Sequence, residues 1–331
     1  MRLAIPSDGE LYEPTLMFLR NCGINVERPS PRRYTADIRS MPNTTVMFQR
    51  SGDIPARVEE GSADLGVTGL DRFLEANIGL GKSTLVMDDL GFSNCRLVIA
   101  VPDSWIDVSS MYDLADISID LHNKGRDLRI ATKYPNLVQR HLFKYGVNYF
   151  TLVQSSGTLE AAPLMGFADI IADISSSGTT LRENRLKTID SGLLLSSQAC
   201  LIGNKLSLSS SEHLGTDVKY LVERLEGYMR AKEYFVVTAN VRGSSSDEIA
   251  EKLLRNGKLA GLRGPTISRV HTEDGEAWYS VTIAMPKTDL VGAVEYLRMN
   301  GGSSVTVNQA DYVFEEECIA YNKLLHSLSR D

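Results

Sequence analysis

The segment Ala168-Asp-Ile-Ile-Ala-Asp-Ile-Ser-Ser-Ser-Gly-Thr-Thr-Leu-Arg-Glu-Asn184 runs a buried-strand pattern into a Ser/Gly/Thr turn and then into residues able to start a helix. Phosphate suits such a turn. Backbone N–H groups of Ser176, Ser177, Gly178, Thr179 and Thr180 can converge on one anion, Gly178 permits close approach, and hydroxyls from Ser175 onward add donors. Asp169 and Asp173 flank the strand, and Asp173 at its carboxyl end suits a ribose hydroxyl or a water on Mg²⁺. The same residues also suit a capped helix start beside a solvated aspartate.

Two further turns follow strand-like runs upstream. Ser155-Ser-Gly-Thr-Leu-Glu160 offers a carboxylate to vicinal hydroxyls, and Ala131-Thr-Lys133-Tyr-Pro-Asn136 offers a point charge to phosphate. Taken singly, Lys133 equally suits a solvated surface and Glu160 a helix start. Near the N-terminus, Pro6-Ser-Asp-Gly9-Glu-Leu11, Phe48-Gln-Arg50-Ser-Gly-Asp53 and Thr68-Gly-Leu-Asp71 could form the opposing wall of a cleft. There Arg50 is the expected anion contact and Asp71 the polar anchor, unless Asp53 and Asp71 only cap helices. His122, His141, His213, His271 and His326 are scattered, and no Ser-His-Asp or Cys-His order is visible, so no catalytic nucleophile is expected.

These turns need strands to carry them. The first two hundred residues alternate β-like runs (3–6, 45–49, 65–68, 96–101, 129–131, 149–153, 170–174 and 199–202) with helical stripes, the pattern of α/β units. The openings Ala63-Asp64-Leu65 and Ala168-Asp169-Ile170 are alike and hint at two like-built lobes. The last hundred residues read strand 235–241, a helix over 247–256 behind Ser245-x-x-Glu248, strands 266–270 and 277–284, a helix over 289–299, and strand 304–307. That order is βαββαβ, a ferredoxin-like unit.

The 331 residues, with 43% hydrophobic residues and a net charge of −7, suit a globular protein of two or three domains and oppose a broad nucleic-acid grip. No apolar run approaches membrane-spanning length, and no N-terminal export pattern is present. The four widely spaced cysteines suit reduced thiols, so the expected compartment is the cytoplasm, with no membrane partner.

Several collinear motifs resemble the ATP phosphoribosyltransferase family in its long form. They are Phe48-Gln-Arg50…Asp53-Ile-Pro55, Val58-Glu-Glu-Gly61 through Asp71, Leu90-Gly-Phe-Ser-Asn-Cys95-Arg-Leu, Ile130-Ala-Thr-Lys133-Tyr-Pro-Asn-Leu137, and Leu164-Met-Gly-Phe-Ala-Asp169 through Leu181. The resemblance implies two lobes like those of type II periplasmic binding proteins, closing on a cleft, plus a C-terminal regulatory domain. It implies ATP and 5-phosphoribosyl 1-diphosphate (PRPP) as substrates, Mg²⁺ on the leaving diphosphate, L-histidine as feedback inhibitor of this first step of its synthesis, and homodimers assembling to homohexamers. Expected lobe I is 1–100 with 193–226, lobe II 101–192, and the regulatory domain 230–331.

On matching positions, PRPP falls to Lys133, Glu160, Asp169, Asp173, Ser175, Ser176, Ser177, Gly178, Thr179 and Thr180, with Asp173 reaching Mg²⁺ through water. ATP falls to Ser7, Gly9, Leu11, Arg50 and Asp71, and histidine to Asn240, Leu259 and Ser303. One departure stands out: where the family's first turn carries Lys before the Gly and Arg after it, this chain has Asp8 and Glu10. That keeps open a transferase with another acceptor, beside a non-catalytic two-lobed binding protein.

Overall fold

The structure is a computed structural model describing residues 1–30, 32–77, 81–154, 159–210, 212–255, 261–273 and 275–329. The chain folds as two units, Met1–Tyr220 with Ala320–Asp331, and Leu221–Ile319. Among the described residues no helix is long and apolar enough to cross a membrane.

The first unit holds two sheets. One comprises β1 (Arg2–Pro6), β2 (Val26–Glu27), β3 (Thr35–Ile38), β4 (Thr45–Gln49), β5 (Leu65–Gly69), β6 (Ser83–Met87) and a returning strand, β12 (Ala199–Asn204), in the order β2-β3-β4-β1-β5-β12-β6. β1 runs parallel to both β4 and β5. β5 is buried along its whole length, as a central strand flanked by β1 and β12 is, and reads as a continuous run of small and apolar residues. Gly66 is needed there: a Cβ would lie 2.6 Å from Ile54 and 2.9 Å from Val58 on helix Ile54–Glu59.

The second sheet comprises β7 (Cys95–Pro102), β8 (Leu128–Thr132), β9 (Phe150–Gln154), β10 (Ile170–Ser175) and β11 (Leu186–Ser197), in the order β11-β7-β10-β8-β9. Its core gathers Leu97, Ile99, Leu128, Ile130, Tyr134, Val138, Leu142 and Ile170, all fully buried. Helix Pro135–Lys144 supplies the stripe Val138 and Leu142 and ends before Gly146, as its spacing predicts.

The two acidic openings are built alike. Arg2 donates its backbone N–H (2.7 Å) and guanidinium to Asp64 and also reaches the carbonyl of Gly61. Arg129 donates its backbone N–H (2.9 Å) and guanidinium to Asp169 and reaches the carbonyl of Gly166. Each fork ties the amino end of one parallel strand to the next. Both carboxylates are held below the usual carboxylate range: burial opposes ionisation, but the arginine hydrogen bonds outweigh it.

The second unit is one antiparallel sheet of β13 (Tyr234–Arg242), β14 (Thr266–Val270), β15 (Trp278–Pro286) and β16 (Gly302–Asn308), ordered β14-β15-β13-β16. This is the ferredoxin-like order. Helices Ser246–Leu254 and Leu290–Met299 pack Ile249, Leu253, Ala293 and Leu297 onto Val237, Ala239, Val241, Val281 and Ile283. Ser245 caps the first helix, accepting from the N–H of Glu248, but the Glu248 carboxylate reaches back to Ser244 rather than Ser245.

The expected lobe boundaries shift. A boundary after residue 100 cuts β7, which pairs throughout with β10 and β11 of the second sheet, and a return at 193 cuts β11. The chain enters and leaves the second lobe on two neighbouring antiparallel strands. β11 escapes a periodicity reading because its register slips between Thr188 and Leu193, around Ser191 at φ +59°. The C-terminal boundary moves as well: residues after Ile319 belong with the first unit, where Tyr321 donates to the carbonyl of Gly215.

Candidate active site

The turns after β5 and β10 bring Asp71 and Ser176 to one cleft, and Lys133 after β8 lies close enough to Asp173 for its charge to be felt there. Asp71 lies in the first turn of helix Leu70–Ala76, directly after β5, and is 5% exposed. Its backbone N–H donates to Ser197 Oγ (2.9 Å), the Ser197 hydroxyl donates to Asp71 Oδ1 (2.7 Å), and Tyr134 donates its phenol to Oδ2 (2.6 Å). Asp71 is thus an anchor rather than a cap, since Gly69 holds the N-cap position. Asp53 is an N-cap by position but its side chain makes no capping bond. Burial and the Asp71 charge push the Tyr134 phenol far up, so it stays a donor.

A second tie runs between the same helices. Pro135 opens helix Pro135–Lys144, and the next two N–H groups, of Asn136 and Leu137, donate to the Glu75 carboxylate at 2.9 and 3.0 Å. Asn136 Nδ2 and Arg140 return bonds to the carbonyls of Glu75 and Leu74. A side chain of the first lobe therefore caps a helix of the second.

Beside Asp71 lies a cavity of about 520 Å³, lined by Glu10, Leu11, Ser51, Gly69, Asp71, Arg72, Ser93, Asn94, Cys95, Ile174, Ser176 and Gln198. Ser93 holds φ +55°, a strained non-glycine conformation at the cleft. The Cys95 thiol is pushed up by burial and by the charges of Asp71 and Glu10.

Of the residues expected to hold ATP, Leu11 and Asp71 line this cavity. Ser7, Gly9 and Arg50 stand outside its lining, on the turns after β1 and β4, where the Ser7 N–H donates to Gln49 and Gly9 sits at φ +74°.

The 175–180 turn starts at the end of β10. Gly178 takes φ +73°, and helix Thr179–Glu183 follows. The expected convergence of free N–H groups is altered: the Gly178 N–H donates to Ser175 Oγ (3.0 Å) and the Thr179 N–H to Ser177 Oγ (3.4 Å). An incoming phosphate would replace hydroxyls as their acceptor. Ser176 lines the central cavity, while Ser175, Ser177 and Gly178 line an adjoining one of about 460 Å³ with Arg96, Arg182 and Lys187.

Asp173, 8% exposed, accepts from the N–H of Ile174. Burial raises its pKa, Lys133 and Arg72 draw it down, and Glu160 adds to the rise, so these charges share one neighbourhood. Residues 155–158 of the upstream turn lie outside the described residues. Asp169 leaves the expected set: it sits at the amino end of β10 and is committed to Arg126 and Arg129. A residue before a strand cannot reach the turn after it.

Arg72, Tyr134, Ser197, Asn94 and Gln198 join the site without having been singled out from the sequence. Tyr134 carried a signal, an aromatic between Lys133 and Pro135 at a strand end, whereas Ser197 sits 126 residues from its partner Asp71.

In the second unit, Asn240 and Ser303 are direct register partners across β13 and β16. Leu259 lies outside the described residues.

The family model described as "HisG: ATP phosphoribosyltransferase" matches residues 50–227, and "HisG, C-terminal domain" matches 231–310. ATP phosphoribosyltransferase 2, chloroplastic, of Arabidopsis thaliana is 38% identical over 99% of this chain and 80% of its own length. ATP phosphoribosyltransferase of Bradyrhizobium sp. (strain ORS 278) is 33% identical over 95% and 94%. Among solved structures, the ATP phosphoribosyl transferase (HisG:HisZ) complex from Thermotoga maritima superposes with a TM-score of 0.52 at 26% identity, covering 68% of this chain and 98% of that one.

Two sheets of α/β build around a cleft, with these matches, define a pentosyltransferase. The C-terminal ferredoxin-like unit adds the second matched domain. The chain belongs to the ATP phosphoribosyltransferase family, in its long form. The reaction is transfer of the phosphoribosyl group of PRPP to N1 of ATP with release of pyrophosphate, the first step of histidine biosynthesis.

Proposed function

We propose that PRPP lies against the second lobe, its 5-phosphate in the 175–180 turn and its ribose hydroxyls at Asp173 and Glu160, with Lys133 balancing their charge. ATP lies against the first lobe, around Leu11 and Asp71, with Ser7, Gly9 and Arg50 on the flanking turns. The observation that carries this reading is the shared cavity of about 520 Å³, in which Ser176 from the phosphate turn and Asp71 from the opposing wall are both lining residues.

The chemistry exchanges the bond from C1 to diphosphate for one from C1 to adenine N1. No protein nucleophile is required, and positioning two polyanions in a preorganised site does the work. Asp173 and Glu160 accept from the ribose hydroxyls and fix the sugar, while the Tyr134–Asp71–Ser197 set holds the facing wall still.

Mg²⁺ fits this arrangement as a partner of the diphosphate. Among the described residues no three acidic, histidine or cysteine side chains group to hold a metal alone, and a hard cation sharing its shell with phosphate needs only a carboxylate such as Asp173, reached through water. When bound it neutralises the leaving diphosphate.

The C-terminal unit is read as the sensor of L-histidine, with Asn240 and Ser303 on neighbouring strands, and the assembly as homodimers forming homohexamers. Its match to the C-terminal-domain family supports this. The free thiols of Cys95 and Cys200 support a reducing compartment, read as the cytoplasm.

One assay tests the reaction, the site and the sensor: purified protein with PRPP, ATP and Mg²⁺, following pyrophosphate release and the ultraviolet absorbance of the product, with histidine added midway. Both signals should rise and then be suppressed. Product without suppression removes the sensor reading, and no product removes the site assignment.

A further inference from the structure

Arg72 is the single cation among the residues lining the cleft cavity, where Glu10 and Asp71 are anions. Two substrates bearing polyphosphates must enter a wall with more negative than positive charge. The Arg72 guanidinium stands 3.6 Å from Asp71 Oδ2, beyond hydrogen-bond range, and 4.7 Å over the Tyr134 ring. Asp71 is already engaged by Ser197 and Tyr134 at 2.7 and 2.6 Å. Among the described residues Arg72 therefore has a charge partner and a ring to rest on but no short hydrogen bond, and its side chain is 30% exposed. Nε is the atom beside Asp71, so the four N–H groups of the two terminal nitrogens are left for a ligand in the cavity. Its charge is felt on both sides of the cleft, favouring ionisation of Asp173 after β10 and of Cys95 at the start of β7.

We infer that Arg72 binds the polyphosphate of a substrate in the cleft, supplying the positive charge that Asp8 and Glu10 withhold. The guanidinium fork matches adjacent phosphate oxygens, and the ring and carboxylate beneath it fix its plane beforehand. The diphosphate of PRPP and the phosphate tail of ATP share this chemistry. The inference rests on the phosphoribosyl-transfer reading.

The test is calorimetric titration of the full chain and of its R72M and R72K variants with inorganic pyrophosphate, PRPP and ATP separately. Pyrophosphate affinity should fall about tenfold in R72M, with R72K in between because it keeps charge but not the fork. Weakened PRPP binding with unchanged ATP binding assigns the contact to the leaving diphosphate, and the reverse assigns it to the nucleotide tail. Affinities for all three ligands within twofold of wild type in both variants overturn the inference. R72K, which keeps stem and charge, guards against a folding defect, and melting curves of each variant check it. Wild-type chain that binds pyrophosphate through Arg72 but makes no product leaves this inference standing while the transferase reading falls.

Discussion

Tyr134 donates its phenol to Asp71 at 2.6 Å, joining residues 63 apart in sequence and carried by different sheets. Both are buried, and Asp71 would lose one of its two hydroxyl donors without the phenol.

Tyr134→Phe keeps the ring and removes that donor. Unfolding in urea should show a loss of about 1–3 kcal/mol, the range for leaving a buried acceptor short of a partner. A variant as stable as wild type would mean that water or Arg72 satisfies the carboxylate instead.

Glu75→Ala uncovers the N–H groups of Asn136 and Leu137 at the start of their helix. The expected loss is about 1–2 kcal/mol, as for other lost helix caps, with Glu75→Gln losing less because one acceptor oxygen remains. Paired denaturation curves decide.

The Asp169 fork sets a pH dependence whose direction is fixed. Its pKa is lowered on folding, so the stabilisation is fully present above the unfolded carboxylate value and is lost as pH falls through the lower folded one. Asp169→Asn should therefore be less stable than wild type at neutral pH, with the two curves converging in acid below about pH 4. A gap that stays constant on acidification would show that charge is not what Asp169 contributes.

Gly178→Ala meets open space but must hold φ +73°. The left-handed conformation costs an L-residue about 1–2 kcal/mol, and the turn can relieve it only by changing shape. PRPP affinity should drop well beyond any change in melting temperature. Unchanged PRPP binding would take the phosphate away from this turn.

Replacing Asp8 by Lys and Glu10 by Arg reverses the charge at the mouth of the first lobe. At partly solvated range each unit of charge contributes on the order of 1 kcal/mol and each reversal changes two units, so ATP should bind roughly thirtyfold more tightly per position and depend less on Mg²⁺. Unchanged affinity and metal dependence would remove this turn from the nucleotide path.

The strands that carry the site were legible because each is a short apolar run bounded by turn residues. Thr45–Gln49 and Thr266–Val270 stand where their patterns predict them, and β5 and β10 differ from the reading by one residue. The 175–180 turn was legible for the same reason: its chemistry is local. β11 was not, since a strand with a register slip shows no clean period of two. Asp71 could be named from its turn, but not the hydroxyls of Tyr134 and Ser197, which arrive only when two sheets meet. Asp169 misled because it belongs to the same motif as the turn, although its place before β10 puts it at the strand's other end, where Arg126 and Arg129 hold it.

The ties at Asp71 and Glu75 also bear on how ligands come and go. Swinging the two lobes apart along that side would break a buried phenol–carboxylate bond and uncap a helix in the same movement. Opening along that side therefore costs both contacts at once, about 2–5 kcal/mol on the ranges given above. A cleft held closed at that cost is preorganised before substrate arrives, so less of the binding energy goes into ordering its walls.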